Sequence, residues 1–335
     1  MRAYEIVSAD GVDALALNQR PSPQPAAGEI LVKMRASSIN YRDLSTIEDP
    51  QARGIAYPRI PNSDGAGEVL AVGAGVTRFA PGDRVAGCFF QNWDDGAIST
   101  AAMASALGGG IDGVLAEEVV LREQGMVHIP QHLSFEEAAT LPCAGLTAWN
   151  CLIEQGGLTA GRTALFLGTG GVSIFGLQIA KMLGARVIIT SSSDDKLERA
   201  ASLGADELIN YRRNPEWQAR VLELTNGVGV DVTIETGGGG TLEKTIEATR
   251  VGGTISLIGV LTGGTINPVN VMRRSIRLQG VYVGSRRMFE DMNAAFALNR
   301  IHPVIDQRFD FDDARAAFHV MRGAGHFGKL VVTIQ

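Results

Sequence analysis

Over the first 125 residues, short apolar runs alternate with Gly, Pro and Asp, the pattern of strands joined by tight turns. Strands are predicted at Glu29-Ile-Leu-Val-Lys33, at Gly67-Glu-Val-Leu-Ala-Val72 and over residues 115–121, and Pro81-Gly82-Asp83-Arg84-Val85 is a turn feeding another. Segment 87–113 has no clear period: Phe89, Phe90 and Trp93 come first, then small residues and Gly108-Gly109-Gly110. A stretch of that length in a compact domain is expected to be a functional loop or lid, with the three aromatic rings as candidate pocket walls.

Near residue 130 the period changes. Ser134-Phe-Glu-Glu137 is a capping box, and it predicts a helix ending before Pro142. A second helix is predicted over residues 144–155, followed by Gly156-Gly157. Beyond this point strands at 164–167, 186–190, 207–210, 230–235, 254–258 and 277–283 alternate with helices at 172–183, 194–203, 216–224, 242–249 and 288–299. Such alternation means βαβ units and a parallel sheet, so the fold class is α/β. Residues 329–334 return to a strand pattern.

The first strand of the alternating part runs directly into Gly168-Thr169-Gly170-Gly171-Val172-Ser173, which opens a helix. Glycines there permit a tight turn and let backbone approach a pyrophosphate, whose charge meets the helix amides. Ser173 stands where the usual pattern has a third glycine, and serine is small enough for close helix–strand packing. About twenty residues on, an NAD site would place Asp or Glu against the adenosine ribose. This chain has Thr190-Ser191-Ser192-Ser193, then Lys196, with Tyr211 and Arg212 after the next strand. Hydroxyls and cations suit a 2′-phosphate that a carboxylate would repel, so NADP(H) is the expected cofactor; Ser193 also caps the following helix.

Composition narrows the partners. The 335 residues carry 30 Lys+Arg against 36 Asp+Glu, a net charge of −6, which gives no basic face for nucleic acid or an anionic membrane. Two charge-free stretches, 163–180 and 251–272, are interrupted by glycines and, in the second, by Asn267, Pro268 and Asn270, so neither predicts a membrane span. Met1-Arg2-Ala3-Tyr4-Glu5 lacks the apolar core of an export signal. Cys88, Cys143 and Cys151 form no Cys-x-x-Cys pair, and His128, His132, His302, His319 and His326 lack ligand spacing. A reducing, cytoplasmic location is expected.

Pro81-Gly82-Asp83-Arg84-Val85, Gly145-Leu146-Thr147-Ala148-Trp149, Gly168-Thr-Gly-Gly171 and Phe327-Gly328-Lys329 together resemble the medium-chain dehydrogenase/reductase superfamily over essentially the whole chain. Ser38-Ile39-Asn40-Tyr41-Arg42-Asp43-Leu44 and the Ser/Lys/Tyr set are most similar to its zinc-independent, quinone-oxidoreductase-like branch. The resemblance implies a GroES-like, mainly β catalytic domain over residues 1–125 and 301–335, a Rossmann-type domain with a doubly wound parallel sheet over 126–300, and an active site in the cleft. It further implies that Asn40 and Thr147 lie near the nicotinamide, that Ile258, Gly259, Val260 and Val283 line its pocket, and that Lys329 approaches the pyrophosphate. With Thr169, Gly170, Gly171, Val172, Ser191, Ser192, Lys196 and Tyr211, these are the expected cofactor residues. A homodimer joined through the Rossmann sheets is also implied.

Zinc-dependent members hold a catalytic ion with Cys, His (followed by Glu) and Cys; the matching positions here are Asn40, Ser63 (followed by Asp64) and Cys143. Asn and neutral Ser are poor zinc ligands, and the region of the structural zinc lobe has only Cys88. Without a Lewis acid, an acceptor must be electrophilic already, as quinones and α,β-unsaturated carbonyls are. The expected function is NADPH-dependent reduction of such an acceptor, with Tyr41, or Asp64 if burial raises its pKa, as the proton donor. Two alternatives are an alcohol/aldehyde oxidoreductase using Cys143, Asp64 and Asp43 as an atypical metal set, and a non-catalytic NADPH-binding protein.

Overall fold

The computed structural model describes residues 1–259 and 261–335. Its strands, in chain order, are β1 (Arg2–Glu5), β2 (Ala16–Gln19), β3 (Glu29–Ile39), β4 (Asp64–Val72), β5 (Arg84–Gly87), β6 (Glu118–Arg122), β7 (Met126–His128), β8 (Thr163–Leu167), β9 (Arg186–Ser191), β10 (Glu207–Asn210), β11 (Val230–Glu235), β12 (Thr249–Leu257), β13 (Arg277–Gly280), β14 (Ile305–Asp310) and β15 (Lys329–Thr333). The chain divides into two units, Met1–Leu146 with Val283–Gln335, and Thr147–Tyr282.

In the first unit β14, β15, β3, β4, β5 and β7 form one sheet in that order, with β6 also paired to β3. β3 is longer than its apolar core predicts because one edge pairs with β4 along nearly its whole length, while the other serves β6 with its near half and β15 with its far half. Where β3 meets β4 the backbones nearly touch: a Cβ on Gly67 would lie 2.1 Å from the Lys33 carbonyl oxygen. The sheet closes on an apolar core that includes Ile30, Val32, Val85, Leu107 and Leu330.

The expected breaks after residues 125 and 300 are corrected on both sides, since residues 126–146 and 283–300 belong to the first unit. Contacts far apart in sequence decide this. Asn293, in the helix Arg286–Asn299, donates to the His128 carbonyl at 3.0 Å, and Glu290 pairs with Arg78 at 2.7 Å. Glu136 in the capping-box helix Phe135–Ala138 accepts from Thr333 at 2.9 Å.

The second unit is a six-stranded sheet in the order β10-β9-β8-β11-β12-β13, every pair parallel. Its strand order reverses between β8 and β11, so the crevice outside their carboxyl ends is where such folds bind ligands. Helices Gly171–Met182, Asp194–Ser202, Trp217–Leu224 and Gly239–Ala248 cross between strands within a residue or a few of their predicted bounds.

Three helical features differ from expectation. Residues 141–155 wind wide turns at both ends, π-helical over Leu141–Gly145 and Asn150–Gln155, and the Leu146 amide donates to Leu141, five residues back. The helix Tyr41–Glu48 follows β3 without a break and was signalled only by Asn40 and Asp43, a capping-box pair. The helix Ala314–Arg322 buries Ala314, Ala317, Phe318 and Met321, an i, i+3, i+4, i+7 stripe legible in the sequence.

In the second unit Gly176 lets the helix Gly171–Met182 pack on β8, since a Cβ there would lie 2.8 Å from the buried Phe166 ring. Gly176→Val should lower stability by about 1–3 kcal/mol through overpacking. An unchanged melting temperature would contradict this packing.

Candidate functional site

In the second unit, the turn after β8 starts at Gly168 with φ +75°. Leu167 leaves the sheet with its carbonyl accepting from Ser173 and Thr236, both at 2.8 Å, and the Gly168 amide donates to Thr190 at 3.3 Å. Ser173, at the third-glycine position, thus spends its buried hydroxyl on the preceding strand. Gly170 begins the helix without a side-chain cap, which leaves the first-turn amides of Gly171–Met182 for an anion. Thr169 is buried, and Gly170, Gly171 and Val172 are half-buried around this turn.

The adjacent edge gathers the expected phosphate set. Ser191 is buried and accepts from the Ser193 amide at 3.3 Å, while Ser193 caps its helix by accepting from the Lys196 amide. The Tyr211 amide donates to the Ser191 carbonyl at 3.0 Å, so Ser192, Lys196 and Tyr211 come from abutting segments, and Tyr211 and Arg212 are exposed.

Glu235 was not legible as a site residue. Its fully buried carboxylate accepts from the amides of Gly237 (2.7 Å) and Gly238 (3.0 Å) and from the hydroxyls of Thr241 and Thr245. It thereby folds the glycine turn after β11, against which Ile258 and Gly259 donate to the Glu235 carbonyl. Gly259 lies so close that a Cβ would meet the Thr236 oxygen at 2.0 Å. Val260 lies outside the described residues. Thr147 is buried in this unit.

The first unit builds a polar nest in an otherwise apolar core. Asp64 opens β4 opposite Ser38 of β3. The left-handed Asn62 (φ 68°) turns Ser63 and Asp64 inward, and it is fixed by its own bond to Ser37 at 3.0 Å. Asp64 accepts from the Ser63 hydroxyl at 2.7 Å and the Cys143 amide at 3.1 Å. Lys329, at the start of β15, is 3% exposed and donates to the Ile39 carbonyl (2.9 Å) and Asn40 Oδ1 (2.5 Å). Asp43 accepts from the Asn40 amide at 2.9 Å and pairs with Arg42 at 3.1 Å.

Burial pushes the Asp64 carboxyl up to about 6, with Asp43 adding to the rise and Lys329, Asn40 and Ser63 opposing it. Burial, then Asp64, holds the Cys143 thiol well above its ordinary range. An ammonium, an amide and a hydroxyl do not fit a zinc ion, which takes thiolate, imidazole and carboxylate ligands. The alternative set fares no better: Asp43 is committed to Arg42 and the Asn40 amide, and Cys143, Asp64 and Asp43 form no metal-holding group among the described residues.

Other expectations change in place. Tyr41 is 46% exposed at the first turn of its helix, whereas Asp64 is wholly buried. Val283 is buried with a left-handed backbone (φ 58°), a strained state for a β-branched residue. Lys329 spends its charge inside the first unit. Phe89, Phe90 and Trp93 are core rather than pocket walls, at 0%, 1% and 6% exposure. Their segment supports the nest: Arg42 lies 4.8 Å over the Phe89 ring and donates to the Leu107 carbonyl, and Gly108 and Gly113 let its backbone press on Asn62. Among the described residues no helix is long and apolar enough to cross a membrane.

The family model "Alcohol dehydrogenase GroES-like domain" matches residues 26–131, and "Zinc-binding dehydrogenase" matches 171–298. A zinc-type alcohol dehydrogenase-like protein of Schizosaccharomyces pombe is 43% identical over 97% of this chain and 96% of its own length. The 2-methylene-furan-3-one reductase of Solanum lycopersicum is 30% identical over 99% and 79%. A structure described as a candidate alcohol dehydrogenase from Sinorhizobium meliloti superposes with TM-score 0.92 at 42% identity, covering 98% of both chains. An NAD-dependent alcohol dehydrogenase gives 0.91 at 32% over 100% of both, and a mycobacterial protein complexed with NADPH gives 0.83 at 26% over 99% of both.

A raised carboxyl in the folded state holds its proton up to about pH 6, while the unfolded chain releases it near 3.8. Stability from this group is therefore present at low pH and lost as pH rises from about 4 to about 6, at a cost of about 3 kcal/mol above that range. In Asp64→Asn that slope should vanish, so its melting temperature relative to wild type should climb across this interval. A pH-independent difference would refute it.

Proposed function

This chain belongs to the medium-chain dehydrogenase/reductase superfamily and is an oxidoreductase of that family, and we propose that it is a zinc-independent NADPH-dependent reductase of a quinone, an α,β-unsaturated carbonyl or a similarly activated acceptor. One observation carries this reading: at the positions where zinc-dependent relatives hold their ion this chain has Asn40 and Ser63, and Lys329 gives Asn40 a buried ammonium partner. A protein cation then stands in the neighbourhood of the missing Lewis acid. The reductase acting on 2-methylene-furan-3-one, itself a conjugated ketone, supports the acceptor class by analogy.

Bound NADPH would supply the hydride. In the second unit, the Gly168–Gly171 turn and the helix amides would hold its pyrophosphate, and Ser191, Ser192, Lys196 and Tyr211 its 2′-phosphate. Thr147, Ile258 and Gly259 would fix the nicotinamide in this unit. Of the two proton donors, Tyr41 has an accessible phenol, so we assign delivery to Tyr41 or water. Asp64, closed off by Ser63 and the Cys143 amide, shapes the local charge instead.

Metal-stripped protein given NADPH and a panel of quinones, enones and simple aldehydes should reduce quinones or enones, with no gain from added zinc. Turnover of none, restored by zinc, would overturn the reading. For the cofactor, Lys196→Ala should weaken NADPH far more than NADH, since a charged hydrogen bond is worth about 1.5–3 kcal/mol. Equal losses measured by fluorescence titration would show that the phosphate set is misassigned.

A further inference from the structure

The second unit has a pocket of about 320 Å³ at the amino ends of its parallel strands. Thr163 opens β8, Arg186 opens β9, and Asp231 is the second residue of β11, so the pocket sits at the end of the sheet opposite the Gly168 turn. The turn after the helix Trp217–Leu224 completes the lining. Asn226, Gly227 and Gly229 in that turn are all left-handed, with φ 53°, 79° and 92°. A Cβ on Gly229 would lie 2.7 Å from the Arg250 amide nitrogen. The turn is therefore pressed onto the start of β12, which brings Arg250 to the pocket.

Three guanidiniums and one carboxylate line this space: Arg162, Arg186, Arg250 and Asp231. One cation would neutralise Asp231, yet Arg162 Nη1 (2.9 Å) and Arg250 Nε (2.7 Å) both donate to its Oδ1. The Thr163 amide donates to Oδ2 at 2.9 Å. Arg186 is anchored on the Leu224 carbonyl and on Glu207. Three cations less Asp231 leave the lining two positive charges in surplus, and one if Glu207 is counted. A guanidinium has five donors, and Arg162 bonds through Nη1 alone, Arg250 through Nε and Nη1. Arg162 is exposed, and Arg186 and Arg250 are half-buried, so the pocket is open to solvent. Like charges gathered in one concavity repel each other and focus their field on an entering anion.

We propose that this pocket binds a small polyanion of the diphosphate class, held by Arg162, Arg186 and Arg250, at a site separate from that of the cofactor. Guanidinium forks match phosphate oxygens in pairs, which an ammonium does not. The Arg186 amide donates to the Arg162 carbonyl at 2.8 Å, and Arg162 meets Arg250 on Asp231, so the three residues run in a row. A row of three cations suits two linked phosphates better than one. The volume agrees, since it reaches the low end of pockets for small organic ligands, roughly 300–1,000 Å³. This site goes beyond the reductase reading and stands without it.

The test is calorimetric titration of inorganic pyrophosphate into the protein, in magnesium-free buffer at physiological ionic strength, with excess NADP⁺ present to fill the Gly168 turn. One equivalent should bind. Inorganic phosphate and succinate should each bind about tenfold more weakly, the loss that follows from one missing charged hydrogen bond. Val228 is an exposed lining residue, and Val228→Glu adds a carboxylate while every arginine keeps its bonds. That variant should weaken pyrophosphate about tenfold, whereas Val228→Gln, of the same size as Glu, should not. Arg162→Gln should weaken it about as much as Val228→Glu, with the melting temperature of each variant showing that it is folded. No binding in the presence of NADP⁺ overturns the proposal, because any pyrophosphate bound without NADP⁺ then belongs to the glycine turn. Binding that Val228→Glu leaves undiminished overturns it too, and succinate bound as tightly as pyrophosphate overturns the diphosphate class. ADP in the same titration separates two sources: binding as tight as that of pyrophosphate upholds the site for a diphosphate ester, and weaker binding upholds it for the free ion.

Discussion

The charge of Lys329 has to be met inside the first unit. A buried ammonium costs several kcal/mol unless acceptors surround it, and the acceptors it finds are the Ile39 carbonyl and Asn40 Oδ1. Strand pairing creates this constraint, because β15 lies antiparallel to β3 with Leu330 opposite Ile39. Two residues 289 positions apart are thereby joined, and the orientation of one amide is decided. Around it the other charges adjust. Asp64 is held against its desolvation by this cation, the Asn40 amide and the Ser63 hydroxyl, while Cys143 beside it stays a thiol.

Both units then rely on backbone pressed against backbone. Gly113 sits where a Cβ would meet the Asn62 oxygen at 2.1 Å, and Gly259 where one would meet Thr236. In each case the glycine segment braces a strand end that carries chemistry: Ser63 and Asp64 at the start of β4, and the Glu235 turn after β11. A segment that resembles a lid in sequence is a support in the fold. Its aromatic rings are buried, Phe89 beneath Arg42 with Phe90 and Trp93 stacked on in turn, and the long loop is held by packing rather than by a regular period.

What could be foreseen and what could not divide along a physical line. The six parallel strands, the helices between them and the Gly168 turn follow from periods and turn chemistry that act over a few residues, and the bounds of β10 and β11 coincide with the residues predicted. The stripe on Ala314–Arg322 is equally local, set by residues three and four apart. The limits of the two units were not local: Asn293 reaching His128, and Arg78 reaching Glu290, move the bounds that the resemblance implied.

By itself, the sequence determined the α/β class, the glycine turn with its hydroxyl-and-lysine neighbours, and the loss of the residues a zinc ion would need, because each is a matter of residue type and short spacing. Only the tertiary structure decided that Lys329 faces Asn40, that Asp64 is closed from solvent while Tyr41 is open, and that Glu235 folds the second glycine turn. Those outcomes depend on which distant strands pair and how much water their pairing removes, and no neighbour along the chain carries that information.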